Sequence, residues 1–185
     1  MLGLEVLQVP ARVEETAQPG ETAAEQVVRL AGEKALQVHR QRPDGLVLAA
    51  DTLVVASADG GERRLGKPVD RQEARAMLHL LSGREHQVLT GVALCRPDGR
   101  VVTELGITLV AFAPLPARLI DWYIATREPY DKAGGYAAQG KAALFIERLE
   151  GSWTNVVGLP LERLPALFAA VGIDIADLLG APGGS

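Results

Sequence analysis

Asp51 is the first residue that needs a chemical explanation. It lies in Val47-Leu-Ala-Ala-Asp-Thr-Leu-Val-Val55, where every neighbour except Thr52 is apolar. Such a run reads as a buried strand, and an unpaired carboxylate inside one is costly. Either the strand meets a cleft at Asp51, or a cation or donor partners it there. Three more charges fit the same kind of site, although each taken alone reads more readily as an ordinary solvated side chain. Lys67 sits between Gly66 and Pro68 on a short stiff connection, Lys34 lies on the polar side of a predicted helix, and Glu15 falls in an acidic stretch. The most unusual segment is Glu128-Pro-Tyr-Asp-Lys-Ala-Gly-Gly-Tyr-Ala-Ala-Gln-Gly140. Its Asp131 and Lys132 suit a polyphosphate–metal complex, and its glycines could let backbone approach a ligand closely. Loops of this kind are where rigid scaffolds place chemistry.

Other chemistries are excluded on type and spacing. Gly61-Glu-Arg-Arg-Leu-Gly66-Lys67 imitates the start of a phosphate-binding P-loop, but Pro68 stands where a magnesium-holding Ser or Thr belongs. The bland alternative is a turn at Gly60-Gly61 between two strands. His39, His79 and His86 show no metal-ligand spacing, and no G-x-S-x-G nucleophile elbow occurs. Cys95 is the lone cysteine, which removes intramolecular disulfides and cysteine-cluster metal sites. A net charge of −4 and 4% aromatic residues argue against a nucleic-acid partner. No apolar run approaches the roughly 18 residues of a membrane span, and no secretory leader is visible. A cytoplasmic protein is expected.

The elements that must position these residues follow from pattern. At 185 residues, one domain can bury roughly 70% of its extended surface. A short strand is expected at residues 4–9, ending at Pro10. A helix begins near Thr22, which has capping-box spacing to Glu25. A buried strand covers 46–55, and a second helix follows Asp70, with Ala74, Met77, Leu78 and Leu81 inward. Two strands, 86–95 and 101–112, flank the turn Pro97-Asp98-Gly99. Pro116 opens a helix over 117–126. A strand over 143–149 and a long helix over 161–171 come last, with residues 181–185 a frayed tail. The alternation argues for a single α/β or α+β domain with a mixed sheet.

Several segments together resemble the Maf family of nucleoside triphosphate pyrophosphatases. They are Leu30-Ala-Gly-Glu-Lys-Ala35, Ala49-Ala-Asp-Thr-Leu-Val54, Leu65-Gly-Lys-Pro-Val-Asp70, Leu81-Ser-Gly-Arg-Glu-His-Gln-Val88, Thr90-Gly-Val92, the segment from Glu128 to Gly140, and Glu150-Gly-Ser-Trp-Thr-Asn-Val-Val-Gly-Leu-Pro160. The resemblance implies a curved mixed α/β sheet of the inosine-triphosphatase kind, with two lobes around a cleft. It implies hydrolysis of a nucleoside triphosphate to the monophosphate and pyrophosphate, with Mg²⁺ or Mn²⁺. Asp51 falls at the family's general base and, with Glu15, at its metal position. Lys34 and Lys67 fall at its phosphate-handling catalytic positions. Thr52 and Gln139 resemble the branch that prefers dTTP and UTP, and Asp131 and Lys132 would complete substrate binding. The partner implied is the nucleotide, with a homodimer compatible. The family's opening strand and Ser-x-Arg-Arg loop have no counterpart ahead of Leu2, which predicts an unpaired edge in the sheet and weak or absent activity. A non-catalytic nucleotide-binding or septum-formation regulator, or an inactive fragment, is the alternative.

Overall fold

The computed structural model describes residues 6–58 and 60–179. Its frame is a five-stranded sheet in the order β2-β1-β3-β4-β5, with β1 Val47–Ala58, β2 Gly61–Leu65, β3 Glu85–Cys95, β4 Val101–Phe112 and β5 Ile146–Glu150. The α/β architecture is the expected one. The pairing differs from a mixed sheet, because all four ladders among the described residues are antiparallel. The connections explain this. Tight turns join β1 to β2 and β3 to β4, and a hairpin can only return antiparallel. β2 and β3 do run the same way, joined through α2 (Arg71–Leu81), but β1 lies between them. The imitation P-loop is strand β2, with Gly60 at φ +78° in the turn before it.

Helix α1 (Ala23–Gln41) starts where its capping box predicts: Thr22 accepts from the Glu25 amide, and the Glu25 carboxylate accepts from that of Thr22. It covers one face of the sheet. Ala31, Ala35 and Val38 pack on Val47, Ala93 and Cys95, and Ala23 and Val27 pack near Leu53, Val55 and Leu89. The helix lies unusually close because Gly91 faces it: a Cβ there would drive into the Val27 carbonyl. On the opposite face, α2 and α3 (Ala117–Ala125) bury Met77, Leu78, Ile120 and Tyr123 against Val54, Val88, Val110 and Phe112. Farther along that face, Leu164, Leu167 and Phe168 of α5 (Leu164–Ala169) cover Val92 and Leu94. Between these two apolar patches stands α4 (Trp153–Val157), a short helix absent from the sequence reading.

Three segment boundaries depart from the sequence reading. Residues 6–9, four of the six positions of an expected strand, carry no ladder among the described residues, and Val6 and Leu7 are exposed; residues 4–5 of that strand, like the expected frayed tail, lie outside the described residues. The strand expected from 143 starts at Ile146, because Lys141–Phe145 coils as a 3₁₀ turn that buries Ala142 and Phe145 on one side. The long helix expected over 161–171 is a 3₁₀ turn, Leu161–Arg163, followed by α5, which begins just ahead of Pro165. Proline lacks an amide hydrogen, so it is accommodated in the first helical turn and not in the interior.

One sheet edge is open. β2 covers β1 only from Val54 to Ala58, whereas β3 runs along β1 from Val47 to Ala56. Residues 47–53 therefore have no ladder on their outer edge among the described residues.

Candidate active site

The open edge is where the charged residues meet. A cavity of about 630 Å³ wraps around it. Strand alternation sends adjacent side chains to opposite faces, so Asp51 points toward α1 while Thr52 points toward α4. With no strand covering the edge among the described residues, both reach the same cavity. This resolves the two readings of Asp51 in favour of both: it faces a cleft, and it has a cation.

That cation is Lys34. Its Nζ donates to Asp51 Oδ1 at 2.5 Å and to Glu15 Oε1 at 2.7 Å. The close approach of α1 at Gly91 brings the lysine within reach. Burial pushes the Asp51 carboxyl above its ordinary value, against the pull of Lys34. Glu15 is half exposed, so the same lysine wins there, and its hydrogen bond holds Glu15 below the usual range. Burial works to lower the Lys34 ammonium, but the two carboxylates outweigh it and the net shift is upward. The lysine is thus held charged beside a carboxylate poised to take a proton.

The other expected residues line the same cavity. Lys67 follows β2, and forms no salt bridge among the described residues. Asp131 and Lys132 pair with each other on its rim, and Gln139 also contributes. The segment carrying these last three is fastened down. Glu128 Oε1 receives Lys141 Nζ at 2.7 Å, the Tyr123 hydroxyl accepts the Ala137 amide at 2.9 Å, and the Gly134 amide donates to the Gly66 carbonyl at 3.0 Å. Its glycines serve packing here and not ligand approach. Gly134, at φ +68°, lies against the Val54 side chain, where a Cβ would come within 2.8 Å.

Several residues at the site were not legible in sequence. Arg64 of β2 joins the cavity wall and donates from Nη1 to Gln26 Oε1 at 2.9 Å. Thr90 and Asn155 stand behind Thr52, and Gly158 leaves room beside its hydroxyl. The only sequence signal for them was membership of the motifs Thr90-Gly-Val92 and Ser152-Trp-Thr-Asn-Val-Val-Gly158.

Among the described residues no three His, Cys, Asp or Glu side chains cluster as a ready metal cage. The donor set still suits a hard cation. Lys34 occupies one oxygen of Asp51 and one of Glu15, which leaves the second oxygen of each. Magnesium is commonly held by one or two carboxylates together with substrate phosphates.

Comparison with known proteins agrees with this picture. A family model described as "Maf-like protein" matches residues 1–171. A dTTP/UTP pyrophosphatase of Syntrophus aciditrophicus is 47% identical over 165 residues, 89% of this chain and 78% of that protein. A dTTP/UTP pyrophosphatase of Symbiobacterium thermophilum is 48% identical over 170 residues, 92% of this chain and 84% of the relative. One from Anaeromyxobacter dehalogenans is 47% identical over 177 residues, covering 94% and 87%.

Proposed function

Given that the chain belongs to the Maf family, we propose that it hydrolyses dTTP and UTP to the nucleoside monophosphate and pyrophosphate. The observation that carries this reading is the cavity around the open edge of β1. It gathers Lys34, Lys67 and Lys132 with the carboxylates of Glu15, Asp51 and Asp131 and the hydrogen-bonding side chains of Thr52 and Gln139.

The reaction asks three things of the protein. A triphosphate must be held against its own charge, which Lys67 and Lys132 answer, in a molecule of net charge −4 that supplies no general attraction. A water must lose a proton as it attacks the phosphorus. Asp51, with its carboxyl raised by burial, accepts that proton. The water oxygen forms its bond to phosphorus as the bond to the bridging oxygen breaks, and pyrophosphate leaves toward the lysines. Lys34 keeps Asp51 oriented and steadies charge near the α-phosphate. Glu15 and Asp51, together with the substrate phosphates, would hold a divalent cation, Mg²⁺ or Mn²⁺, which would neutralise phosphate charge and acidify the water that Asp51 orients. Thr52 and Gln139, which both line the cavity, would meet the pyrimidine edge, with its donors and acceptors. A cytoplasmic location, where nucleoside triphosphates are abundant, goes with this proposal.

The test is pyrophosphate release from dTTP, UTP, CTP, ATP and GTP, with Mg²⁺ or Mn²⁺ and after chelation. Metal-dependent release of pyrophosphate from dTTP and UTP above the others is expected. Release of orthophosphate, or equal rates with all five, would overturn the reading.

A further inference from the structure

We infer that Thr90 and Asn155 fix the direction of the Thr52 hydroxyl, so that Thr52 offers the cavity an acceptor only and selects a base edge that presents an N–H. The inference rests on the pyrimidine triphosphate reading above and deepens it.

The argument is a count of protons. Asn155 is fully buried on α4. Its side-chain Nδ2 donates to the Val88 carbonyl and to Thr108 Oγ1, both at 3.0 Å, which pins the residue between β3 and β4. Gly106 of β4 makes room for the amide: a Cβ there would collide with Asn155 Oδ1. So held, the Asn155 main-chain carbonyl accepts from Thr90 Oγ1 and from the Gly158 amide, each at 3.0 Å. A threonine hydroxyl has one hydrogen, and Thr90 spends its own on that carbonyl. Thr90 Oγ1 also lies 3.0 Å from Thr52 Oγ1, so the hydrogen between them belongs to Thr52. Thr52 then has lone pairs alone to turn toward the cavity.

That polarity matters for base choice. Uracil and thymine carry a hydrogen on N3; cytosine carries a lone pair there. Placed against N3, an acceptor-only Thr52 bonds the first pair and opposes the second; placed against position 4, where cytosine carries an amino group and the others a carbonyl, it would have the reverse effect. A freely rotating hydroxyl would serve either equally. Thr90 is fully buried and does not line the cavity, so it is a positioning residue.

The experiment compares kcat/KM for UTP and CTP, and calorimetric binding of UMP and CMP, in the wild type, Thr90→Val and Thr90→Ser. Thr90→Val removes the acceptor that holds the Thr52 hydrogen, and the UTP-over-CTP preference should fall by about tenfold, the scale of one hydrogen bond. The UMP-over-CMP preference should fall with it. Thr90→Ser keeps the hydroxyl and should restore both. Should Thr90→Val weaken both nucleotides by one factor, or Thr90→Ser behave as the valine does, Thr90 is a packing residue and the inference fails while the pyrophosphatase reading stands. A wild type that prefers purine triphosphates and binds neither pyrimidine monophosphate would remove the reading and the inference together.

Discussion

Lys34→Met should destabilise the fold more than Asp51→Asn, while Asp51→Asn should cost more in turnover. Lys34 Nζ holds Asp51 at 2.5 Å and Glu15 at 2.7 Å. Without the lysine, Asp51, whose side chain is 11% exposed, faces Glu15 with no cation between them. Removing one partner of a buried pair costs about 3–5 kcal/mol. Asp51 borders an open cavity and can protonate, so the loss should be smaller, about 2–3 kcal/mol. In a chain of this length that lowers Tm by about 5–10 °C. Asp51→Asn instead removes a carboxylate already disfavoured by burial and leaves Lys34 bonded to Glu15. Stability should stay within about 1 kcal/mol of the wild type. Turnover should fall about 10²–10⁴-fold, the usual contribution of a positioned base, with UMP binding retained. The double variant should regain most of the stability lost in Lys34→Met, because no buried charge is left unpaired. Scanning calorimetry and pyrophosphate release from UTP measure both quantities. Equal Tm losses in the two single variants would refute the electrostatic account. An Asp51→Asn protein with turnover near that of the wild type would remove Asp51 from the mechanism.

Two further outcomes follow from buried groups. His86 is enclosed by Phe112 and Tyr136, and burial pulls its pKa from 6.5 down to about 4. The stability this neutral ring contributes is complete above pH 6.5 and is lost as pH falls toward 4, about 3 kcal/mol in all. Urea midpoints measured between these limits should fall less steeply in His86→Gln, and parallel curves would show that the imidazole does not titrate in the fold. Gly91→Ala should force α1 away from β3 at Val27, costing about 3 kcal/mol. Turnover should fall by more than unfolding explains, since Lys34 moves with the helix; full activity at low temperature would contradict that coupling.

Local chemistry was readable along the chain because its causes are local. The Thr22–Glu25 capping box, the Asp70 cap and the turn at Pro97-Asp98-Gly99 each act within a few residues, and the structure has all three where the sequence puts them. The oddity of Asp51 was legible for the same reason: a carboxylate in an apolar run is anomalous in any fold. What the run could not say was how the anomaly is met. That answer depends on β2 ending its ladder at Val54, on Gly91 admitting α1, and on Lys34 arriving seventeen positions away in sequence. The hydrogen bonds of Thr52, Thr90 and Asn155 join three elements whose spacing carries no period, so no local pattern records them. Residue types determined that a buried acid, several cations and a polar loop were available. Only the tertiary structure decided that an uncovered strand edge lets the two faces of one sheet share a single cavity, because side-chain alternation otherwise keeps neighbours such as Asp51 and Thr52 apart.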